Sequence, residues 1–221
     1  MFYYDGLNKH EASDLFEKGL ISGITTNLTL VNALKASIGK NRDTIIEEFV
    51  DSIKHFGLPL SIQVESNIVE DIISEGLYLQ DKFKNDIDVF IKVPINFENL
   101  KAIHILSERG ISVNATCITS FMQAKMASIS GASIVSFFWG KMYDQGINPA
   151  FHVSSFKAWL EKSNPKRRTS TLVGSVRQIG SIESAFAAGA DVVTTSYENL
   201  RKIADQLASE NANMLFQKTL Q

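Results

Sequence analysis

Val89-Phe90-Ile91-Lys92-Val93-Pro94 is apolar throughout except for one lysine. A half-buried strand alternates apolar and polar residues, and this run does not. Ile134-Val135-Ser136-Phe137-Phe138 and Asp191-Val192-Val193-Thr194-Thr195 behave alike. Strands apolar on both faces belong to parallel sheets covered by helices. Outward from residues 89–94, further short runs lie at 2–4, 23–25, 60–64, 112–117, 134–138, 171–176 and 192–196, making eight in all. Helical patterns at 9–18, 44–56, 68–83, 97–109, 120–130, 151–160, 181–188 and 198–209 separate them. In the second of these, Ile45, Ile46, Phe49, Val50 and Ile53 form a stripe with helical spacing.

Gly19, Gly57, Gly110, Gly131 and Gly189 each stand where a helical pattern ends. Glycine takes the left-handed cap conformation without a Cβ penalty. Gly131-Ala132-Ser133-Ile134-Val135 and Gly189-Ala190-Asp191-Val192-Val193 echo each other as repeated helix–turn–strand units. Eight strands alternating with helices allow a closed barrel or an open doubly wound sheet. No GxGxxG or GxxxxGK[ST] follows a strand, which weakens the nucleotide-binding sheet. The expected fold is therefore a (β/α)8 barrel, with residues 1–221 as one domain. Glu161–Thr169, with Lys166-Arg167-Arg168, reads as a solvated loop, and residues 210–221 as a C-terminal helical arm.

Hydrophobic residues make up 44% of the 221 and charged residues 21%, near the globular average. The net charge of −2 gives no footprint for nucleic acid or a membrane surface. No apolar run approaches the 18 or so residues of a membrane span, and the first ten lack a signal-peptide pattern. The single cysteine, Cys117, excludes an internal disulfide and a cysteine zinc cluster. His10, His55, His104 and His152 show no ligand spacing, so neither metal nor cofactor is expected. A cytoplasmic location is the simplest expectation.

Lys92 is the most informative residue. An amine among β-branched side chains loses hydration of its charged form, so its pKa falls and it becomes a nucleophile for a carbonyl. A structural ion pair explains such a lysine equally well. Chemistry in a barrel sits at the C-terminal ends of the strands. Those ends carry Asp5, Thr26 and Asn27, Gln63, Asn114 and Thr116, Phe138 with Trp139 and Lys141, and Ser175 with Arg177. Taken singly, each has a plain reading: Asn27 as a helix cap, Thr116 as a strand former, Arg177 as a surface charge. Two carboxylates, Asp144 and Glu65, fall nearby with no second signal.

Phe2-Tyr3-Tyr4-Asp5, Gly23-Ile24-Thr25-Thr26-Asn27-Leu28-Thr29-Leu30, Ile91-Lys92-Val93-Pro94, Gly110-Ile111-Ser112-Val113-Asn114-Ala115-Thr116 and Gln123-Ala124 occur in this order. With these segments the chain resembles the small transaldolase and fructose-6-phosphate aldolase family from end to end. The resemblance implies a Schiff base on Lys92, acid–base work by Asp5, Asn27 and Ser175 lining the site, and Thr116 and Gln63 positioning a water. It also implies a homo-oligomer, conceivably a decamer, with a small sugar phosphate as substrate.

The departures are informative. Gln63 matches the small aldolases, where larger transaldolases tend to carry glutamate. Phe138 replaces the aldolases' tyrosine, removing a hydroxyl that would orient the water protonating the enamine. That favours transfer over release of free dihydroxyacetone. Leu28 stands for a proline and is expected to alter only a turn. Lys141 stands for an arginine and cannot make its bidentate fork. Trp139, for a small aliphatic residue, adds a neutral donor. A phosphate at the end of the donor fits this set, and so does a sulfonate, as in sulfofructose. The expected activity is a transaldolase. Its rivals are an aldolase that releases dihydroxyacetone and a sugar-phosphate-binding barrel without turnover.

Overall fold

The computed structural model of the chain describes residues 1–163 and 169–206. The Lys166-Arg167-Arg168 run and the expected arm at 210–221 lie outside the described residues. Eight parallel strands close into a barrel: β1 (Phe2–Asp5), β2 (Ile24–Thr25), β3 (Leu60–Gln63), β4 (Val89–Pro94), β5 (Val113–Ile118), β6 (Ile134–Phe138), β7 (Ser170–Gly174) and β8 (Val192–Thr195). Closure comes from β1 on β8, with Tyr3 opposite Thr194. The (β/α)8 expectation from the eight apolar runs therefore holds.

Helices α1 (Lys9–Glu17), α3 (Arg42–Ile53), α4 (Val69–Phe83), α5 (Asn99–Glu108), α6 (Phe121–Ile129), α8 (Pro149–Ser163), α9 (Ile179–Ala187) and α10 (Tyr197–Ala204) follow the sequence patterns to within a few residues. α3 buries the stripe read from sequence, Ile45 to Ile53. The expected capping glycines all have positive φ, from 64° at Gly19 to 105° at Gly131.

Two helices escaped the pattern. α2 (Leu28–Ile38) buries only Val31, although Leu30, Leu34 and Ile38 repeat at helical spacing. Its ends are marked as well: Asn27 as N-cap, 3.0 Å from Leu30 N, and Gly39 at φ 68° as C-cap. α7 (Trp139–Asp144) starts directly where β6 ends.

The strands do alternate, although their sequences hid it. Outward residues such as Leu60, Ile91, Val113, Phe137 and Val193 are buried in the layer between barrel and helices. The inward residues form layers. Tyr3, Ile134, Leu172 and Val192, with Phe90, form an apolar plug. Above it lies a polar girdle. Thr25 and Thr194 hydroxyls meet at 2.7 Å; Ser136 Oγ donates to Asn114 Oδ1 at 2.6 Å; Asn114 Nδ2 donates to Ser61 Oγ at 3.1 Å. Every one of these groups is buried, so the mutual bonds offset desolvation.

The C-terminal end of β3 is braced from outside. The buried Arg42, first residue of α3, donates through Nη2 to the Gln63 carbonyl at 2.6 Å. Its Nη1 pairs with Glu75 of α4 at 2.7 Å. Glu75 also accepts the Glu65 backbone N–H at 2.9 Å. Glu65 itself is exposed. Removing one partner of an enclosed ion pair leaves the other charge uncompensated. Glu75→Ala is thus expected to lower stability by roughly 2–4 kcal/mol, read as a shift of the urea midpoint. A cost below about 0.5 kcal/mol would show that the brace does nothing for β3.

Candidate active site

A cavity of about 420 Å³ opens at the C-terminal ends of the strands, a size suited to a small metabolite. Its walls include Asp5, Asn27, Gln63, Lys92, Thr116, Phe138 and Ser175, seven of the positions read from the sequence. Leu28, Thr29 and Leu30 from the start of α2, Cys117, Ser136, Leu172 and Gly174 complete much of the lining.

Lys92 points inward because β4 alternates: Phe90 inside the plug, Ile91 outside, Lys92 inside. It is 6% exposed, so its ammonium form is nearly stripped of water. Its Nζ donates to the Thr26 carbonyl at 2.9 Å. Burial lowers its pKa, against an opposing pull from the negative charges of Asp5 and, less, Cys117. Asp5 Oδ1 accepts Thr25 Oγ1 at 3.1 Å and Asn27 Nδ2 at 3.3 Å. Burial raises the Asp5 pKa, against the field of Lys92 and those two hydrogen bonds. The two shifts run towards each other: burial favours the neutral form of the amine and of the carboxyl alike. Among the described residues no ion pair within 4.0 Å includes Lys92 or Asp5, so the structural ion-pair reading of Lys92 loses its support.

Asn27 fills both roles raised for it, capping α2 through Oδ1 and reaching Asp5 through Nδ2. Thr116 Oγ1 is buried without a nitrogen or oxygen partner, in a site where such groups normally find one. β5 bulges between Ala115 and Ile118, and Cys117 sits there at φ 63°. Bulges re-aim side chains, and this one turns Cys117 to the cavity wall beside Thr116. Burial raises the Cys117 pKa, so its thiol is held protonated more firmly than a free one.

Five expected site residues lie elsewhere. The Thr26 side chain donates to the Ser61 carbonyl at 3.0 Å, and only its own carbonyl touches Lys92. Asn114 belongs to the polar girdle. Trp139, expected as a donor to the terminal anion, is 5% exposed and packs in the core. The chain leaves β6 at Phe138 and enters α7 at once, which turns the indole inward. Lys141 is exposed on α7. Arg177 is exposed and forked onto Asp144, at 2.9 Å and 2.7 Å.

α7 is seated tightly on the loop after β7. Gly140 N–H donates to the Ser175 carbonyl at 3.0 Å, and a Cβ at position 140 would stand 2.3 Å from that oxygen. Ser175 adopts φ 58°, which carries its side chain to the cavity wall. One contributor was missed in the sequence, Cys117, whose signal is a bulge invisible to periodicity; Asp144, named there without a second signal, has its partner 33 residues away.

An amine and a carboxyl enclosed at the top of an eight-stranded parallel barrel define an enzyme of the barrel class. The family model for transaldolase/fructose-6-phosphate aldolase matches residues 2–221. A probable transaldolase of Clostridium botulinum (strain Hall) is 34% identical over 196 residues, covering 89% of this chain and 85% of its own. Probable transaldolases of Lactiplantibacillus plantarum and Bartonella henselae are 31% and 32% identical over 193 residues; each alignment covers 87% of this chain, and 83% and 84% of theirs. The chain belongs to the transaldolase/fructose-6-phosphate aldolase family and is an aldolase-type enzyme.

The lowered Lys92 pKa has a testable sign. The unfolded chain binds a proton at Lys92 that the folded chain resists, so this group adds stability as pH rises through the interval between its folded and ordinary values. Acylation of Lys92, followed against pH by mass spectrometry, should show a midpoint below that of the exposed lysines. Asp5→Asn removes the charge that opposes the shift and should lower the midpoint further. A midpoint equal to that of the exposed lysines would mean that the amine is not desolvated.

Proposed function

We propose that this enzyme transfers a three-carbon dihydroxyacetone unit from a ketose with a terminal anion to an acceptor aldehyde, through an imine on Lys92. The observation that carries the proposal is the buried Lys92 amine, its pKa lowered, in the wall of a cavity that it shares with Asp5. The free amine attacks the C2 carbonyl of the ketose. Protonated Asp5 gives its proton to the departing hydroxyl, and water leaves to form the iminium. The Asp5 carboxylate then takes the proton of the C4 hydroxyl as the C3–C4 bond breaks. The electron pair of that bond moves into the iminium, giving an enamine and a free aldehyde. A second aldehyde accepts the enamine carbon, Asp5 returns its proton to the new alkoxide, and water releases the product.

Asn27 and Thr25 support this role by holding the Asp5 carboxylate in one orientation. Thr116, whose hydroxyl lacks a nitrogen or oxygen partner, and Gln63 on the cavity wall suit the handling of the water in imine formation and hydrolysis. Phe138 offers no hydroxyl to the enamine, which favours capture by an aldehyde over protonation. The family's action on sugar phosphates supports fructose 6-phosphate as donor. The exposed Lys141, a point charge in place of a fork, keeps sulfofructose as the alternative. A homo-oligomer also belongs to this reading; Met122, Met126 and Ile129 form an exposed apolar stripe on α6 that supports it.

Borohydride with fructose 6-phosphate or sulfofructose should reduce the imine and leave a mass adduct on Lys92, absent in Lys92→Met. No adduct, or one elsewhere, removes the mechanism. Phe138→Tyr should raise free dihydroxyacetone release relative to transfer to glyceraldehyde 3-phosphate by about a hundredfold, the low end of a general acid–base effect. Substantial release by the parent enzyme without acceptor would favour the aldolase instead.

A further inference from the structure

Just outside the cavity lining, after β7, Arg177 stands close to Ser175, which does line the cavity. A Cβ placed on Gly140 would lie 3.2 Å from Ser175 Oγ and 3.3 Å from Arg177 Nε. The hydroxyl and the guanidinium nitrogen therefore both lie close against α7 at Gly140, with the Ser175 carbonyl between α7 and the loop. Arg177 does not offer a ligand at Ser175 its full recognition surface. Nη1 and Nη2 both donate to the Asp144 carboxylate, one to each oxygen. The parallel pair of bonds that an arginine uses to grip a phosphate is taken by a carboxylate of the chain itself. What remains towards Ser175 is the Nε edge of a pair with no net charge. Among the described residues, Lys141 is a cation of α7 with no ion pair.

We infer that Asp144 sets the charge selectivity of the donor's terminal group, by occupying the Arg177 fork and favouring a singly charged end over a dianion. This rests on the reading of the cavity as the ketose site. Two physical effects act in the same direction. A dianion must compete with Asp144 for the guanidinium, and it meets the Asp144 charge with twice the repulsion that a monoanion feels. Both Arg177 and Asp144 are about half exposed, so the effect is screened and moderate. A sulfonate, tetrahedral and singly charged at neutral pH, loses least.

The test compares fructose 6-phosphate with sulfofructose in the parent enzyme and in Asp144→Asn. Binding is measured by titration calorimetry at low ionic strength. Turnover is measured with uncharged glyceraldehyde as acceptor, so that the donor carries the only terminal anion. Asparagine retains the size and one acceptor oxygen but frees the charge. The Kd and kcat/KM ratios should move towards the phosphate by about fivefold, the factor for about 1 kcal/mol per screened unit charge. The change should shrink as salt rises. An unchanged ratio would overturn the inference. So would a move against the phosphate, which would mean that Asp144 holds Arg177 in place to receive it. Asp144→Ser, which keeps a small polar group, controls for loss of the carboxamide's shape and should move the ratio in the same direction. A borohydride adduct on Lys92 in all three proteins separates the outcomes: a shifted binding ratio without any adduct would sink the imine mechanism while leaving the selectivity of Asp144 standing.

Discussion

A charged amine cannot be taken from water into a packed barrel without a large free-energy cost, and much of this structure is arranged around that constraint at Lys92. Burial at this position favours the neutral amine, its pKa lowered, and no carboxylate pairs with it among the described residues. The Thr26 carbonyl takes one amine hydrogen at 2.9 Å, and the more distant Asp5 charge opposes the shift without reversing it. Asp5, desolvated in the same cavity, is driven the other way, its pKa raised. The cavity thus biases both groups towards their neutral forms, where in water both would be ionised.

Below them the interior is graded. An apolar plug of Tyr3, Phe90, Ile134, Leu172 and Val192 excludes water from the base of the barrel. A girdle of hydroxyls and one carboxamide lies next, each polar group spending its bonds on a neighbour. Asn114 thus bonds to Ser61 and Ser136 within the girdle, while Ser136 also borders the cavity. The reactive groups occupy the last layer, where the strands give way to loops and the chain can bulge. Cys117 and Ser175, the two described non-glycine residues with positive φ, both fall in this layer and both line the cavity.

The supports of the site come from elements distant in sequence. Arg42 of α3 and Glu75 of α4 brace the backbone at Gln63 and Glu65 from outside the barrel. Asn27 links the cap of α2 to the Asp5 carboxylate. Gly140 lets α7 press against the Ser175 carbonyl, with the Arg177–Asp144 fork close beside it. A fork satisfied internally is a different recognition surface from a free arginine, and no count of basic residues near β7 would reveal it.

The barrel was legible because its signals are local. Apolar runs, helical stripes and left-handed glycines depend on near neighbours along the chain, and the stripe from Ile45 to Ile53 and the cap at Gly57 needed nothing else. Lys92 was legible for the same reason, as one charge within a six-residue strand. Helix α2 was less so: Leu30, Leu34 and Ile38 keep helical spacing, but only Val31 is buried, so the repeat marks no core face. Side-chain direction at the strand ends was not legible. Whether Trp139 faces the cavity or the core depends on where β6 stops and α7 begins, and a one-residue change of that point reverses the answer. Pairings such as Arg177 with Asp144 and Arg42 with Glu75 join residues 33 positions apart. The amino-acid order therefore determined by itself the eight-fold alternation and the position of the amine, since both rest on short-range pattern. Which polar groups face the cavity and which are consumed by one another was decided only when the barrel closed, because that choice is set by through-space distance.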